Sequence, residues 1–266
     1  MRSEIFRSSF CFCINAKMER YFRQTILNGF GEEGQRKLAD SSVLVVGVGG
    51  LGSAVCTYLT AAGIGRLRMV DSDEISLHNL QRQVLYRENQ IGKSKVLEAA
   101  KQLQLLNSTV KIEAFNDYFC KKNAIDLVED VDIVVDATDN FKSRYLINDV
   151  CVGLDKPFVY GAISEFIGQV AVFNYQKGAT YRCLFPDEQA IIRSQKPSVG
   201  VLGVLPAVIG SLQANEVIKL ITHCGQVLAD KLFCINLQDN QTYTVSILPT
   251  AQSRERAEQN FVGFPS

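Results

Sequence analysis

The sequence has no excess of charge of either sign, since 28 Lys and Arg residues balance 28 Asp and Glu residues. Proteins that bind nucleic acid or an anionic membrane through their overall charge carry a basic excess, so no nucleic acid and no membrane partner is expected. No apolar run approaches the ~20 residues that a membrane-spanning helix needs. There are only two histidines, and the eight cysteines include no C-x-x-C pair. Scattered cysteines, mostly in apolar contexts, are typical of a reduced, cytoplasmic protein.

The two ends of the chain differ from its middle. In residues 1–17 a short apolar run is broken by polar residues and no small-residue cleavage site follows, so a secretory signal is not expected. We interpret residues 1–17 as a disordered leader or as sequence upstream of a natural start at Met18. Residues 18–250 are predicted to form one domain, and the polar residues 251–266 a flexible tail.

Strands alternate with helices through the first two thirds of the chain. β-Branched apolar runs predict five strands, at SVLVVGV, RLRMVD, KIEAF, DIVVDAT and PFVYGAI. Helical periodicity lies between them, over residues 49–63, 93–106, 124–128 and 141–153. This alternation predicts an α/β fold with a Rossmann-like, doubly wound, mostly parallel sheet.

The pattern changes after residue 161. QVAVFNY alternates as an antiparallel strand does, and residues 206–221 form an amphipathic helix with Pro in its first turn. KLFCINL and YTVSIL are typical of a hairpin, whereas residues 186–199 have little periodicity and are predicted to be a mobile loop. The sheet is therefore expected to carry an antiparallel C-terminal elaboration.

The motif GVGGLG lies where the first strand turns into a helix. Glycines such as Gly47, Gly49 and Gly50 let the backbone approach phosphate, and the helix N-terminus supplies N–H donors. A tight turn that binds nothing is the alternative. Many dehydrogenases share this spacing, and Asp71 at the end of the second strand suits the ribose of NAD or of ATP. The loop predicts a nucleotide without selecting which one.

Asn79, Arg82 and Lys95 follow the second strand, and a redox dinucleotide does not require them. Attack at the α-phosphorus of a triphosphate shifts negative charge onto the leaving pyrophosphate, which cations stabilise. Each cation taken alone could be a solvated surface charge. Their joint placement after a glycine loop favours a triphosphate.

DATDN, at the end of the fourth strand, supplies carboxylates at the sheet edge where ligands bind. Mg²⁺ prefers one or two carboxylates together with phosphate oxygens, and Asp139 is the predicted ligand. Its alternative role is to cap the following helix. Asp136 is interpreted as structural, buried at the strand end.

Together these stretches resemble the E1-like adenylating enzymes of the MoeB/ThiF/HesA group. The resemblance rests on RYFRQTILNGFGEEGQRKL, VLVVGVGGLGS, MVDSDEISLHNLQRQ, IGKSK, DATDNFKSRYLIND, GAISEFIGQVAVFNY, YRCLFP and GVLGVLPAVIGSLQANEVIKL, in family order. It implies that ATP·Mg²⁺ adenylates the C-terminal Gly carboxylate of a small ubiquitin-like sulfur carrier ending in Gly-Gly. Pyrophosphate leaves, and a later thiocarboxylation serves molybdopterin or thiamin synthesis.

The resemblance also assigns roles by motif. Gly50 and its loop hold phosphate, and Asp71 holds the ribose. Asn79, Arg82 and Lys95 contact the triphosphate, Asp139 binds Mg²⁺, and Asn140 lies beside it. Family members are homodimers, in which Arg23 would reach the partner's ATP site. Adenylation itself needs positioning and electrostatics, with no nucleophile from the protein.

The sequence departs from the family at two places. Many relatives bind a structural zinc through two C-x-x-C pairs; here Thr180 replaces one cysteine, only Cys183 remains, and none lies near residue 250, so no zinc is predicted. IIRSQKPSVG lacks the cysteine that forms a covalent persulfide or thioester in some relatives. Cys183 is interpreted as a packing residue, with a reactive thiol as the alternative. A separate sulfur donor, a cysteine desulfurase or rhodanese-type protein, is therefore expected.

Three alternatives stay open. These departures leave room for adenylation of a peptide C-terminus or of another carboxylate, including one linked to tRNA. A non-catalytic nucleotide-binding scaffold would keep the fold without the reaction. An NAD-dependent oxidoreductase has only the glycine loop and Asp71 in its favour, because neither His78 nor His223 is an evident acid for hydride transfer.

Overall fold

Eight strands form one sheet in the computed structural model, which describes residues 19–194 and 200–265. The strands are β1 Ser42–Val46, β2 Arg66–Val70, β3 Lys111–Phe115, β4 Ile133–Asp136, β5 Phe158–Ser164, β6 Ile167–Phe173, β7 Lys231–Asn236 and β8 Gln241–Ser246. Their order across the sheet is β3-β2-β1-β4-β5-β6-β7-β8. The first five in this order pair in parallel, and β6 to β8 continue antiparallel. The predicted α/β class, parallel sheet and antiparallel elaboration are confirmed.

Ten helices accompany the strands within the described residues. They are α1 (19–25), α2 Gly31–Asp40, α3 Gly50–Ala62, α4 Lys95–Leu106, α5 Ala124–Val128, α6 Phe141–Gly153, α7 Tyr181–Leu184, α8 Glu188–Ser194, α9 Leu205–Thr222 and α10 Ala251–Val262. The helix α3 ends at Gly63, which adopts a left-handed conformation that closes the last turn. None of the described helices is both long and apolar enough to cross a membrane.

The central strands β1 and β4 are buried on both faces of the sheet, which explains why they are continuous apolar runs. Successive side chains of a strand point to opposite faces. Val43 and Val45 accordingly pack in a cluster with residues of α3, α4 and α9. Leu44 and Val46 pack in a second cluster with residues of α5 and α6. The six cysteines among the described residues are free thiols.

The strand order reverses at β1, which pairs with β2 on one side and with β4 on the other. In open α/β sheets the crevice at such a reversal, outside the carboxyl ends of the strands, is the usual ligand site. The glycine loop follows β1, Asp71 follows β2, and Asp139 comes three residues after β4 ends. The fold therefore brings the ends of these three strands to one edge.

The predicted flexible tail over residues 251–266 is wrong for most of its length, because α10 packs against α6. The Thr250 side chain accepts a hydrogen bond from the Ser253 amide and caps the helix. Ala257 and Phe264 are buried, and the Phe261 ring lies against Gly153. Small residues form much of the contact, so the segment looks polar throughout although one face is covered.

The prediction of a mobile loop over residues 186–199 is partly wrong as well. Residues Glu188–Ser194 form α8, whose start is held by the Asp187 side chain accepting from the Ala190 amide. Seven residues are too few for apolar periodicity to be recognised. The rest of that loop, 195–199, lies outside the described residues, as do the predicted leader and the proposed start at Met18.

Candidate active site

The loop after β1 passes between its two neighbouring strands. The Gly47 amide donates to Val70 O of β2 at 2.9 Å, and the Ala137 amide after β4 donates to Val46 O at 3.0 Å. Gly47 has a φ of 90°, and a Cβ there would lie 2.9 Å from Ala137 O. Only glycine is accommodated at this position. This explains the first glycine of the motif.

The loop then enters α3, which begins at Gly50 and has no acidic residue in its first turn. A Cβ on Gly50 would lie 2.9 Å from the Pro206 Cβ at the start of α9. A Cβ on Gly49 would meet only the Gln83 side chain, at 3.5 Å. The N-terminal N–H groups and the positive end of the helix dipole are therefore not neutralised locally, which suits an anion such as phosphate.

Asp71 is tied to the loop through its backbone. Its Oδ2 accepts from the Val48 amide at 2.7 Å, and its Oδ1 accepts from the Asp73 amide at 2.7 Å. Burial raises the pKa of the Asp71 carboxyl, against the opposing influence of these two bonds and of the Lys95 charge. Each carboxylate oxygen keeps acceptor capacity for a ribose hydroxyl. Asp71 is therefore held rigidly at the predicted position.

Tyr86 also shapes the loop, and the sequence reasoning did not single it out. Its hydroxyl donates to Val48 O at 2.6 Å, and the side chain is buried. Nearby Gln83 is buried with a side-chain carbonyl that lacks a hydrogen-bond partner in the described part of the chain. Gln83 comes directly after Arg82, and Tyr86 follows three residues later. A tyrosine so close to a predicted binding segment is a signal that its hydroxyl has a specific partner.

The residues that are predicted to contact the triphosphate lie in the segment after Asp71. They differ in burial and in hydrogen-bond partners. Asn79 is buried, and its Oδ1 accepts from the Ser76 amide at 3.2 Å, which fixes the turn at Leu77–Asn79. Arg82 is partly exposed, and its Nη1 donates to His78 O at 3.1 Å. The Arg82 stem lies 3.7 Å from the position that a Cβ on Gly50 would take. The structure therefore brings Arg82 to the glycine loop, and Asn79 holds the turn that places it.

Lys95 begins α4, and its side chain is only 6% exposed. Its Nζ donates to Asp73 Oδ2 at 2.8 Å, and its amide donates to Asp73 O at 2.9 Å. The Lys95 charge also lowers the pKa of Asp71, so the two groups are within electrostatic range. The predicted lysine and the predicted ribose carboxylate thus belong to one site.

The two carboxylates at the end of β4 and just after it differ in burial, as the sequence predicts. Asp136 is fully buried, its Oδ1 accepts from the Thr138 amide and hydroxyl at 3.0 and 2.7 Å, and burial raises its pKa. Asn140 caps α6 by accepting from the Ser143 amide at 2.9 Å. Asp139 is exposed and does not cap the helix. The capping alternative therefore belongs to Asn140, and Mg²⁺ binding by Asp139 stays a prediction.

Arg23 lies on α1 away from the glycine loop of its own chain. Its neighbour Gln24 donates to Ala62 O at the C-terminal end of α3. That end lies about 18 Å along the helix axis from Gly50. Arg23 itself is exposed, and its role in a partner's site stays a prediction.

The positions that correspond to the family's zinc ligands converge in space. The amide and hydroxyl of Thr180 lie 3.4 and 3.5 Å from Cys183 Sγ, and Thr250 Oγ1 lies 3.9 Å from the same sulfur. Thr250 Oγ1 donates to Ser253 Oγ at 2.7 Å. Burial raises the pKa of Cys183, but hydrogen bonds from Thr180 and Thr250 outweigh burial and lower it. Three neutral hydroxyls and one thiol do not fit zinc, which proteins bind through thiolate, imidazole and carboxylate groups.

We expect the melting temperature to be insensitive to metal chelation. The hydroxyl–thiol cluster at Thr180, Cys183, Thr250 and Ser253 joins α7 to α10 through hydrogen bonds between these side chains. Thermal unfolding with and without EDTA, beside metal analysis of the purified protein, measures this. A lower Tm in EDTA that added zinc restores would contradict the prediction.

Comparison with known proteins finds a matching family and similar curated proteins. Residues 21–257 match the ThiF family. The chain is 47% identical over 224 residues to the sulfur carrier protein adenylyltransferase of Thermus thermophilus, across 81% of this chain and 82% of that protein. It is 47% identical over 214 residues to the adenylyltransferase and sulfurtransferase MOCS3-1 of Zea mays, across 80% of this chain and 46% of that protein. The chain spans about half the length of several curated relatives that it matches.

Solved structures share the fold at lower identity. E. coli MccB with MccA-N7isoASN matches with a TM-score of 0.77 at 24% identity, across 88% of this chain and 72% of that one. PaaA matches with a TM-score of 0.74 at 24% identity, across 88% and 75% of the two chains. At such identity the likeness establishes the fold alone. The family match over residues 21–257, with the close curated relatives, shows that the chain belongs to the ThiF family.

Proposed function

We propose that this protein adenylates the C-terminal Gly carboxylate of a small ubiquitin-like sulfur carrier of the MoaD/ThiS type, using ATP. The observation that carries the proposal is the grouping of a glycine loop at an uncompensated helix N-terminus with Asp71 and Lys95. The loop can bind phosphate, and Asp71 can accept from the ribose. The buried cation can stabilise the charge on the leaving pyrophosphate. The name of the Thermus relative supports the same activity.

In the proposed reaction the carrier carboxylate forms a bond to the α-phosphorus, and the bond from that phosphorus to pyrophosphate breaks. The loop amides around Gly50 bind phosphate, and Asp71 accepts from the ribose hydroxyls. Arg82 and Lys95 stabilise the charge that moves onto pyrophosphate. Bound through Asp139, Mg²⁺ would neutralise further phosphate charge. Catalysis is by positioning and electrostatics, so the chain needs no nucleophile.

A homodimer is part of the proposal. Arg23 is exposed on α1, and the same helix and the turn after it expose three large apolar side chains, Phe22, Ile26 and Leu27. Exposed apolar clusters rimmed by polar residues are typical of protein–protein contacts. A second copy covering α1 would bring Arg23 to the partner's ATP. The sulfur atom would come from a separate desulfurase or rhodanese-type donor in the cytoplasm.

ATP–pyrophosphate exchange tests the activity on the purified protein, with and without carriers that end in Gly-Gly. We expect exchange only with a carrier, and none when its last two residues are removed. The carrier that works assigns the protein to molybdopterin or thiamin synthesis. ATP binding without exchange would favour a peptide or another carboxylate substrate. Failure to bind ATP·Mg²⁺ would reject the proposal.

A further inference from the structure

Asp73 is the carboxylate paired with Lys95, and none of the assigned roles includes it. The Lys95 ammonium lies 2.8 Å from Asp73 Oδ2. The two side chains differ in environment, since that of Lys95 is 6% exposed and that of Asp73 is 61% exposed. The lysine stem is thus enclosed by protein, and its charged end meets a carboxylate at the surface of the site.

The backbone fixes the same two residues relative to Asp71. The Lys95 amide donates to Asp73 O at 2.9 Å, and the Asp73 amide donates to Asp71 Oδ1 at 2.7 Å. A short antiparallel bridge between Glu74 and Ser94 reinforces the contact. Asp73 is therefore the residue through which the start of α4 is joined to the ribose carboxylate.

An ammonium group has three donors, and Asp73 uses one of them. The remaining two are sufficient for phosphate oxygens. Without a fixed acceptor, the end of a lysine side chain loses rotamer freedom when it binds a ligand. A carboxylate that is already hydrogen-bonded to the ammonium removes much of that loss before the ligand arrives.

We propose that Asp73 is a positioning residue, which holds the Lys95 ammonium where the triphosphate binds. The proposal rests on the proposed ATP reaction and adds a member to its site. Because Asp73 is itself negative, its charge opposes ATP binding. Its hydrogen bond to Lys95 holds the ammonium in place and favours the transition state. The two influences act on different kinetic constants.

Asp73→Asn is therefore expected to lower kcat about 10-fold, because a charged acceptor for the ammonium is replaced by a weaker, neutral one. KM for ATP is expected to stay constant or fall, since a negative charge near the phosphates is removed. Asp73→Glu, on an exposed side chain with room to adjust, should restore most of kcat. Glu74→Gln is the matched control, because it removes the same charge one residue away at an exposed position.

A double-mutant cycle separates positioning from any independent role. ATP affinity and exchange rate are measured for Asp73→Asn, Lys95→Ala and the double variant, each with its melting temperature. If Asp73 acts through Lys95, its replacement causes no further loss of exchange rate once Lys95 is absent. An equal loss in the Lys95→Ala background would overturn the proposal. So would recovery of Asp73→Asn by added Mg²⁺, which would make Asp73 a metal ligand instead.

The cycle also distinguishes failure of this inference from failure of the adenylation proposal. Wild-type exchange with unchanged kcat in Asp73→Asn would reject the positioning role alone. Absence of exchange with every carrier would overturn the adenylation proposal, and with it the positioning role that rests on it. Absence of ATP binding by the wild-type protein would overturn both.

Discussion

Lys95→Ala lowers carrier-dependent ATP–pyrophosphate exchange by about 10²- to 10³-fold, the usual result of removing one donor that stabilises developing charge. The Lys95 side chain is only 6% exposed, and at so sheltered a position its interaction with phosphate is stronger than in water. The fold should tolerate the change. The hydrogen-bonded partner left behind, Asp73, is 61% exposed, so water can solvate its charge.

Lys101→Ala is the matched control on the same helix. Lys101 is 66% exposed and pairs with Glu98 three residues earlier. Its removal should leave the exchange rate unchanged, because its exposed ammonium pairs with Glu98 and not with a residue assigned to the site. Exchange that persists in Lys95→Ala at the wild-type rate would contradict the assignment of Lys95 to the triphosphate.

The placement of the candidate residues could be predicted because they belong to local patterns at strand ends. A buried strand followed by glycines places a helix N-terminus, and the parallel arrangement places Asp71 and Asp139 near the same edge. No long-range contact has to be known for this step. The prediction that Asp136 is structural rested on the same rule, and its burial confirms it.

Other features depend on long-range contacts and could not be predicted. Asp73 becomes notable only because α4 returns to it from 22 residues away. The meeting of Cys183 with Thr250 joins residues 67 positions apart, and neither has a distinctive local pattern. The prediction of a flexible tail in place of α10 was wrong for a similar reason, since the covered face of this helix contains small and polar side chains. Their burial depends on the surface of α6.

The largest stability effect is expected at Arg182, whose side chain is 1% exposed. Its Nε and Nη2 donate to the two oxygens of Asp149 at 2.7 and 2.6 Å, and its Nη1 donates to Glu188 at 3.0 Å. The guanidinium lies over the Tyr145 ring, 4.8 Å from its centre. Arg182 thus connects α6, α7 and α8 through one buried group.

The buried pair of Arg182 and Asp149 also anchors α10. Asn260 Nδ2 donates to Asp149 Oδ2 at 2.9 Å, and Ser253 Oγ donates to Arg182 O at 3.2 Å. Loss of the guanidinium would therefore weaken the attachment of the C-terminal helix as well. The hydroxyl–thiol cluster would remain, but it contains only neutral hydrogen bonds.

Arg182→Leu is expected to lower the free energy of unfolding by about 3–5 kcal/mol, because Asp149 would stay buried with its charge uncompensated. Urea denaturation at neutral pH measures the change. Arg36→Leu, which removes an exposed arginine paired with Glu33, should change stability little. The double variant Arg182→Leu/Asp149→Leu should recover part of the loss, since it removes both charges. A single variant as stable as the wild-type protein would show that the buried pair does not hold these four helices together.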